Sequence, residues 1–483
     1  MLNFFAKKNL TNDKVPKSKY IIYQLSILMN KFTWIATKIK HFSQIFDKRT
    51  YKTFKNVVSS FLFLREHKQS DIANLTWKAL YQIQYFFNKS VWNYKILNEL
   101  RIKWIRNKIS WAWNKKSDVL NLDSTIISKS KNANFSWLTN YFFSNKDKKI
   151  VNGFDVFWAS IINKNWLKYI LDICLYYKKK KNKLNNNDKR NPSIQNFLRK
   201  KVLTKLLNKT KAWLIVLDSW FKGGSICKWI YSVCKRHFLV RVWYEQYYYN
   251  QDWKCLKIKN FLKKDNSIIV NWMSLWVLKN VELKSWYKKW INIKTNLIIY
   301  HKNWFRKPVI LCTSADIENI YENMIREIWD LPWNEKCKEN FWEDSLLKVK
   351  NENEIYFSFV FLYRKRWSIE VCFRELKTYL WFEKFQVQSY EAIMKYLHIC
   401  ILVHSLLHIS LSYIEQNIEL KTEIYNYLKE KRNIKNDNFY ISFDWLKLFL
   451  EMALFRDFSF FSSVRFSSSL KSCYSLVNQN KLT

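Results

Sequence analysis

The chain has 483 residues, with 83 Lys and Arg against 39 Asp and Glu, and a net charge of +44. That length calls for two or three structural units, and 48% hydrophobic residues exclude a wholly disordered chain. A charge this positive excludes a plain small-neutral-substrate enzyme and asks for a polyanion or a membrane, while nine scattered cysteines without a C-x-x-C pair argue against a zinc ribbon or disulfide framework.

The elements read as follows in chain order. MLNFFAKKNL lacks the long apolar core of a signal peptide. Residues 1–115 read as helical and basic, with helix-like apolar spacing over Phe54–Arg65 and Leu75–Leu100. This region is either a DNA-binding unit or a plain helical cap. At Asp118 the pattern turns to strands. Val119–Ile127 holds an acid, Asp123, and Ile150–Ile162 and Trp166–Tyr177 follow. Lys178–Lys181 and an asparagine tract form a solvated loop. Ser193–Asn208 has helical spacing, and Trp213–Leu217 is an apolar strand ending at Asp218. Residues 237–308 read as a β-rich insertion with frequent turn signals, after which Val309–Thr313 resumes the main sheet. Glu318–Arg326 and Tyr356–Leu380 read as helices. Tyr396–Ile414 is the most apolar long run, but His398, His404, His408 and serines interrupt it, so it reads as a buried helix and not a span. With no membrane segment, nucleic acid is the expected partner, in a reduced cytosolic setting.

Three glycines stand beside 25 tryptophans, where an ordinary chain of this length carries about 34 glycines. Tryptophan also sits where turns want glycine, as in Asn165-Trp166, Asp252-Trp253, Asn271-Trp272 and Asn303-Trp304. The expectation is that many of these residues are glycine in the cell, one codon there having the meaning glycine; the alternative is true tryptophan enrichment.

The chemistry concentrates in Tyr363–Lys377. On a helix, Arg366, Glu370, Arg374 and Lys377 lie about 300°, 340°, 20° and 320° from Tyr363. Ile369, Cys372, Phe373, Leu376 and Leu380 form the neighbouring apolar stripe. A carboxylate among cations can hold a hard metal ion beside a phosphodiester whose flanking phosphates the cations bind. Asp123, Asp218 and Glu370 are the candidate ligands, with Asp172, Asp316 and Asp330 as rivals. A solvated helix with alternating charges is the plain reading of the same spacing. His404 and His408 read as packing, Cys227 and Cys234 as structural, and Gly223-Gly224-Ser225 lacks the Lys-Ser/Thr of a phosphate loop.

Tyr363, Arg366, Glu370 and Lys377 resemble the Y-R-E-K signature of a large family of bacterial insertion-sequence transposases, DDE enzymes with a ribonuclease H-like catalytic domain. Phe373–Lys377, Phe385–Ser389, Leu122–Thr125 and Leu217–Phe221 resemble the same family's text. The resemblance covers about residues 50–415. Trp381 stands where the family has glycine. It implies an α/β fold: a ribonuclease H-like mixed sheet with flanking helices, interrupted by a β-rich insertion, plus a helical N-terminal domain. The implied domains are 1–115 (DNA-binding), 116–236 and 309–415 (catalytic), 237–308 (insertion) and 416–483 (C-terminal helices and tail). It further implies catalytic and metal-binding Asp123, Asp218 and Glu370 with two Mg²⁺ ions, Mn²⁺ able to substitute. DNA contacts fall to Tyr363, Arg366, Arg374 and Lys377. The partners implied are double-stranded DNA, as terminal inverted repeats and target, and a second copy of the chain on that DNA, in a bacterial cytoplasm at the nucleoid. A DNA-binding protein without catalysis, and a nuclease without strand transfer, are the alternative functions.

Overall fold

The computed structural model describes residues 39–63, 68–75, 78–108, 118–129, 140–144, 149–162, 168–176, 202–221, 224–243, 245–250, 252–261, 268–270, 273–283, 293–301, 307–320, 352–387, 389–432 and 441–457. The Lys178–Lys181 run, Ser193, Gly223, Asp330, Trp166, Trp272, Trp304 and the Ser/Phe-rich tail lie outside them.

The protein is a mixed α/β structure. Its main helices are α1 (Lys48–Phe63), α2 (Gln69–Leu75), α3 (Leu80–Asn88), α4 (Tyr94–Lys108), α5 (Thr204–Leu207), α6 (Glu352–Lys365), α7 (Trp367–Tyr379), α8 (Tyr390–Gln416), α9 (Ile418–Arg432) and α10 (Phe443–Asp457). The strands are β1 (Val119–Ser128), β2 (Asn140–Ser144), β3 (Lys149–Ile162), β4 (Lys168–Tyr176), β5 (Leu214–Leu217), β6 (His237–Val242), β7 (Tyr247–Tyr249), β8 (Cys255–Lys257), β9 (Ile268–Val270), β10 (Met273–Leu283), β11 (Thr295–His301) and β12 (Val309–Thr313). Two compact units form: residues 98–377 with 388–398, and residues 1–97 with 378–387 and 399–483.

In the unit of residues 1–97, 378–387 and 399–483, Asp47 caps α1 by accepting the Arg49 and Thr50 amides at 2.9 Å. Phe46 stacks on Phe54 at 4.4 Å and Phe86 on Trp92 at 5.2 Å, giving this unit an aromatic core. Lys447 of α10, 1% exposed, donates to the Phe61 and Leu62 carbonyls at the end of α1, where a cation meets the negative end of the helix. The helical spacing over Leu75–Leu100 resolves into separate helices. After α3 the chain leaves the helix at Ser90 and Trp92, whose side chains both donate to the Phe86 carbonyl. Asn93 then starts α4 by accepting the Lys95 amide.

The other unit is built on a twelve-stranded mixed sheet whose main path runs β2-β3-β1-β5-β6-β12-β11-β10-β7-β8. β4 pairs with β3 antiparallel, and β3 with β1 antiparallel, whereas β1, β5 and β6 run parallel. The apolar runs explain the centre of this order: β5, Leu-Ile-Val-Leu, is buried throughout, as a strand covered on both faces must be. β6 is hydrogen-bonded to β5, and β10–β12 continue from it, so the strands of 237–308 extend the same sheet. Gly153 lies where β3 passes from β2 to β1; a Cβ there would collide with the Ile127 carbonyl oxygen. α6 packs Tyr356, Phe359, Val360 and Tyr363 into a core shared with Leu214, Val216, Leu239 and Leu311.

The helix expected over Tyr356–Leu380 is two helices, α6 and α7, with Arg366 at the corner. The Arg366 amide bonds back to the Tyr363 carbonyl at 3.0 Å, closing a tighter turn than the α-helical one. α8 is long and apolar enough to cross a membrane, and 78% of its most apolar window is buried inside the protein.

Candidate active site

The site follows from strand register. Leu122 of β1 pairs with Leu217 of the parallel β5, so the next residues, Asp123 and Asp218, emerge side by side. Side chains alternate across a sheet, which puts Asp123 on the same face as its cross-strand partner Trp158 and as Thr125. α7 packs on that face. Its Phe373 meets Trp158 edge-on at 4.9 Å, and Lys377 Nζ donates to Thr125 Oγ1 at 2.8 Å. Glu370, one turn into α7, is thereby carried to the two aspartates.

Arg366 ties the three together. Its Nη1 lies 2.9 Å from Asp123 Oδ2, and its Nη2 lies 2.6 Å from Glu370 Oε1 and 4.0 Å from Asp218 Oδ1. The guanidinium also lies over the Tyr363 ring at 5.6 Å. Arg366 and Asp123 side chains are each 13% exposed, and Asp218 and Glu370 are each 33% exposed. Burial raises the Asp123 carboxyl to about 7; Arg366 and the Ser124 amide oppose the rise, and Asp218 and Glu370 add to it. Burial works against the Arg366 charge, but Asp123, Tyr363, Asp218 and Glu370 outweigh it and hold the guanidinium above its ordinary range. Burial also pushes the Tyr363 hydroxyl up to about 12.

Of the residues picked out from sequence, Asp123, Asp218, Glu370, Tyr363 and Arg366 converge, and Lys377 reaches the same strand face. Arg374 does not join them: it is exposed on α7, and among the described residues it has no ion pair with the cluster. Asp172, the nearest rival to Asp123, pairs with Ala159 and so points to the opposite face. There it is 1% exposed and holds Lys205 at 3.1 Å, Lys209 at 3.0 Å and His398 at 3.6 Å. Burial favours its neutral form, but the His398 contact and the two lysines outweigh that and keep it ionised. Asp172 is a structural ion-pair centre. Asp316 instead exchanges hydrogen bonds with Asn319 at a short helix start.

Two features carry no signal in the sequence. Asp155, opposite Ile126 on β3, is 4% exposed and accepts from the Ser124 hydroxyl. Ser219, next after Asp218, lines a cavity of about 400 Å³ with Arg241, Trp243 and Lys307; Trp243 is 57% exposed.

Three carboxylates from three separate elements make an all-oxygen donor set, which suits a hard divalent cation such as Mg²⁺ or Mn²⁺. No family model matches the chain, and no curated protein matches it.

Proposed function

We propose that this protein is a DNA transposase of the DDE type, with a ribonuclease H-like catalytic domain, cutting element ends and joining them to target DNA. The observation that carries the reading is the convergence of Asp123, Asp218 and Glu370 on one guanidinium from β1, the end of β5 and α7. The central strand order β4-β3-β1-β5-β6, with only β3 reversed, supports a ribonuclease H-like core. The net charge of +44 supports a polyanionic substrate.

Asp123, Asp218 and Glu370 would hold two Mg²⁺ or Mn²⁺ ions, which supply water activation at near-neutral pH and charge neutralisation at the phosphate. Arg366, with planar paired donors, binds phosphate oxygens next to the cut. Lys377, anchored on Thr125, adds a point charge on the same face. Tyr363 forms the floor under Arg366 and fixes where the terminal nucleotide sits. Arg241, Lys307 and the exposed Trp243 ring offer phosphate and base contacts to the strand leaving Asp218. Attack of water on the phosphodiester at the element end would break its P–O3′ bond and release a 3′-OH; that hydroxyl would then attack a target phosphodiester, displacing its 3′-oxygen as the leaving group, and two copies of the chain would bring the two ends together.

The test is Glu370→Gln with DNA carrying the element's inverted ends and Mg²⁺. Wild type is expected to nick; the variant is expected still to bind and to lose at least about 100-fold in cleavage rate. Equal cleavage by both removes Glu370 from the mechanism. Joining of cut ends to a target duplex separates transposition from plain nuclease action.

A further inference from the structure

One guanidinium answers three carboxylates at 2.9, 2.6 and 4.0 Å. Carboxylates this close repel strongly unless a cation stands among them. Arg366 occupies Asp123 Oδ2 and Glu370 Oε1 directly, two of the six carboxylate oxygens on which a divalent ion at the site would draw. A guanidinium has no lone pair to share with a metal, and its charge repels one. Guanidinium and metal ion therefore compete for these oxygens. The displaced donors need a new acceptor, and a DNA phosphate is the best planar match. Arg366 sits at the corner between α6 and α7, where the helix ladder is interrupted.

We propose that Arg366 is a removable counter-ion, which closes the three-carboxylate site in the free protein and opens it by moving to a DNA phosphate. This rests on the phosphoryl-transfer reading of the site and adds its order: DNA and metal each favour the other's binding. Coupling of this kind is reciprocal and commonly about 5–150-fold.

The experiment measures Mn²⁺ binding to the full chain by titration calorimetry, with and without a double-stranded oligonucleotide of arbitrary sequence. Wild type is expected to bind Mn²⁺ about 5–150-fold more tightly with DNA present. Arg366→Gln is expected to bind Mn²⁺ more tightly than wild type without DNA and to lose that enhancement. Arg366→Lys, which keeps the charge but cannot span three carboxylates, is expected to fall between, and it serves if the Gln variant does not fold. Weaker or unchanged Mn²⁺ binding by both variants without DNA overturns the counter-ion role. Asp123→Asn and Glu370→Gln separate this from the site reading: if neither weakens Mn²⁺ binding, the carboxylates are not metal ligands at all.

A second observation stands independently. Among the described residues, four that are not glycine have positive φ, and two are tryptophans: Trp253 (φ 58°) and Trp381 (φ 49°). Trp253 closes the β7–β8 hairpin, where its amide bonds to the Asn250 carbonyl and the Asn250 side chain accepts the Lys254 amide. That loop form takes glycine at its left-handed position. Trp253 is 70% exposed, so no packing compensates. Trp381 follows the end of α7, where a left-handed glycine ordinarily stops a helix. In a chain with 3 glycines and 25 tryptophans, we infer that the native residue at 253 and 381 is glycine, its codon being read as glycine in the source organism. Trp253→Gly and Trp381→Gly are each expected to raise Tm by about 2–4 °C, and Trp158→Gly, in the core of β3, to lower it. A fall in Tm for both turn variants, or tryptophan found by peptide mass spectrometry at 253 and 381 in protein from the source cells, overturns the inference.

Discussion

At the scale of single residues, Asp155 is the group with most to reveal. It lies under the sheet, on the face away from Asp123, with one carboxylate oxygen lacking a hydrogen-bond partner. Burial, with help from the Asp123 charge and against the Ser124 hydroxyl, lifts its carboxyl to about 7 from an ordinary 3.8. Between those two values the native state holds a proton the unfolded chain has released. Stability from this group therefore falls as pH rises from about 4 to 7 and is level above. Asp155→Asn keeps an acceptor for Ser124 and removes the ionisation. Its Tm relative to wild type is expected to climb across pH 4–7 and then flatten, worth on the order of 1–4 kcal/mol at the top. Melts in which the difference stays constant with pH would show that Asp155 titrates normally. Nothing in the sequence marks this residue, because its role depends on which side of β3 it faces and on what lies across the pair.

At the scale of elements, much of the site was legible and the reasons are specific. β1, β3, β4 and β5 each announce themselves as apolar or β-branched runs, and Asp123 and Asp218 stand out as acids within or just after them. The Y-R-E-K spacing marks Tyr363, Arg366 and Glu370 as one group, and they meet across the corner between α6 and α7. The break at Arg366 was not legible: no Gly or Pro marks it, and it exists because α6 packs on Leu214 and Leu239 while α7 must reach Trp158. A straight wheel placed Arg374 with the cluster, and the real helix leaves it in solvent. Choosing between Asp123 and Asp172 needed register, since both are acids on strands; pairing with Trp158 or with Ala159 decides the face. Likewise β6 runs straight into the turn-rich segment that follows it, and only its hydrogen bonds to β5 show that it belongs to the central sheet.

At the scale of the whole molecule, charge is the property that local structure does not explain. The ion pairs described above use few of the 83 Lys and Arg, and a net +44 repels itself in the absence of counterions. A DNA-binding reading turns this into a quantity. If the protein neutralises about 6–10 phosphates, the logarithm of its affinity falls with the logarithm of salt concentration at a slope of about −5 to −9, a loss of about 10³–10⁵ between 50 and 200 mM. Most of that term is blind to sequence, so Glu370→Gln should leave the slope unchanged, whereas removing both Arg241 and Lys307, which line the cavity by Ser219, should make it shallower by about 2. Filter-binding or anisotropy titrations across that salt range measure the slope. A value near zero would mean that the excess charge serves something other than a phosphate backbone. A steep slope with no change in the double variant would place the DNA on a different face from the carboxylate cluster.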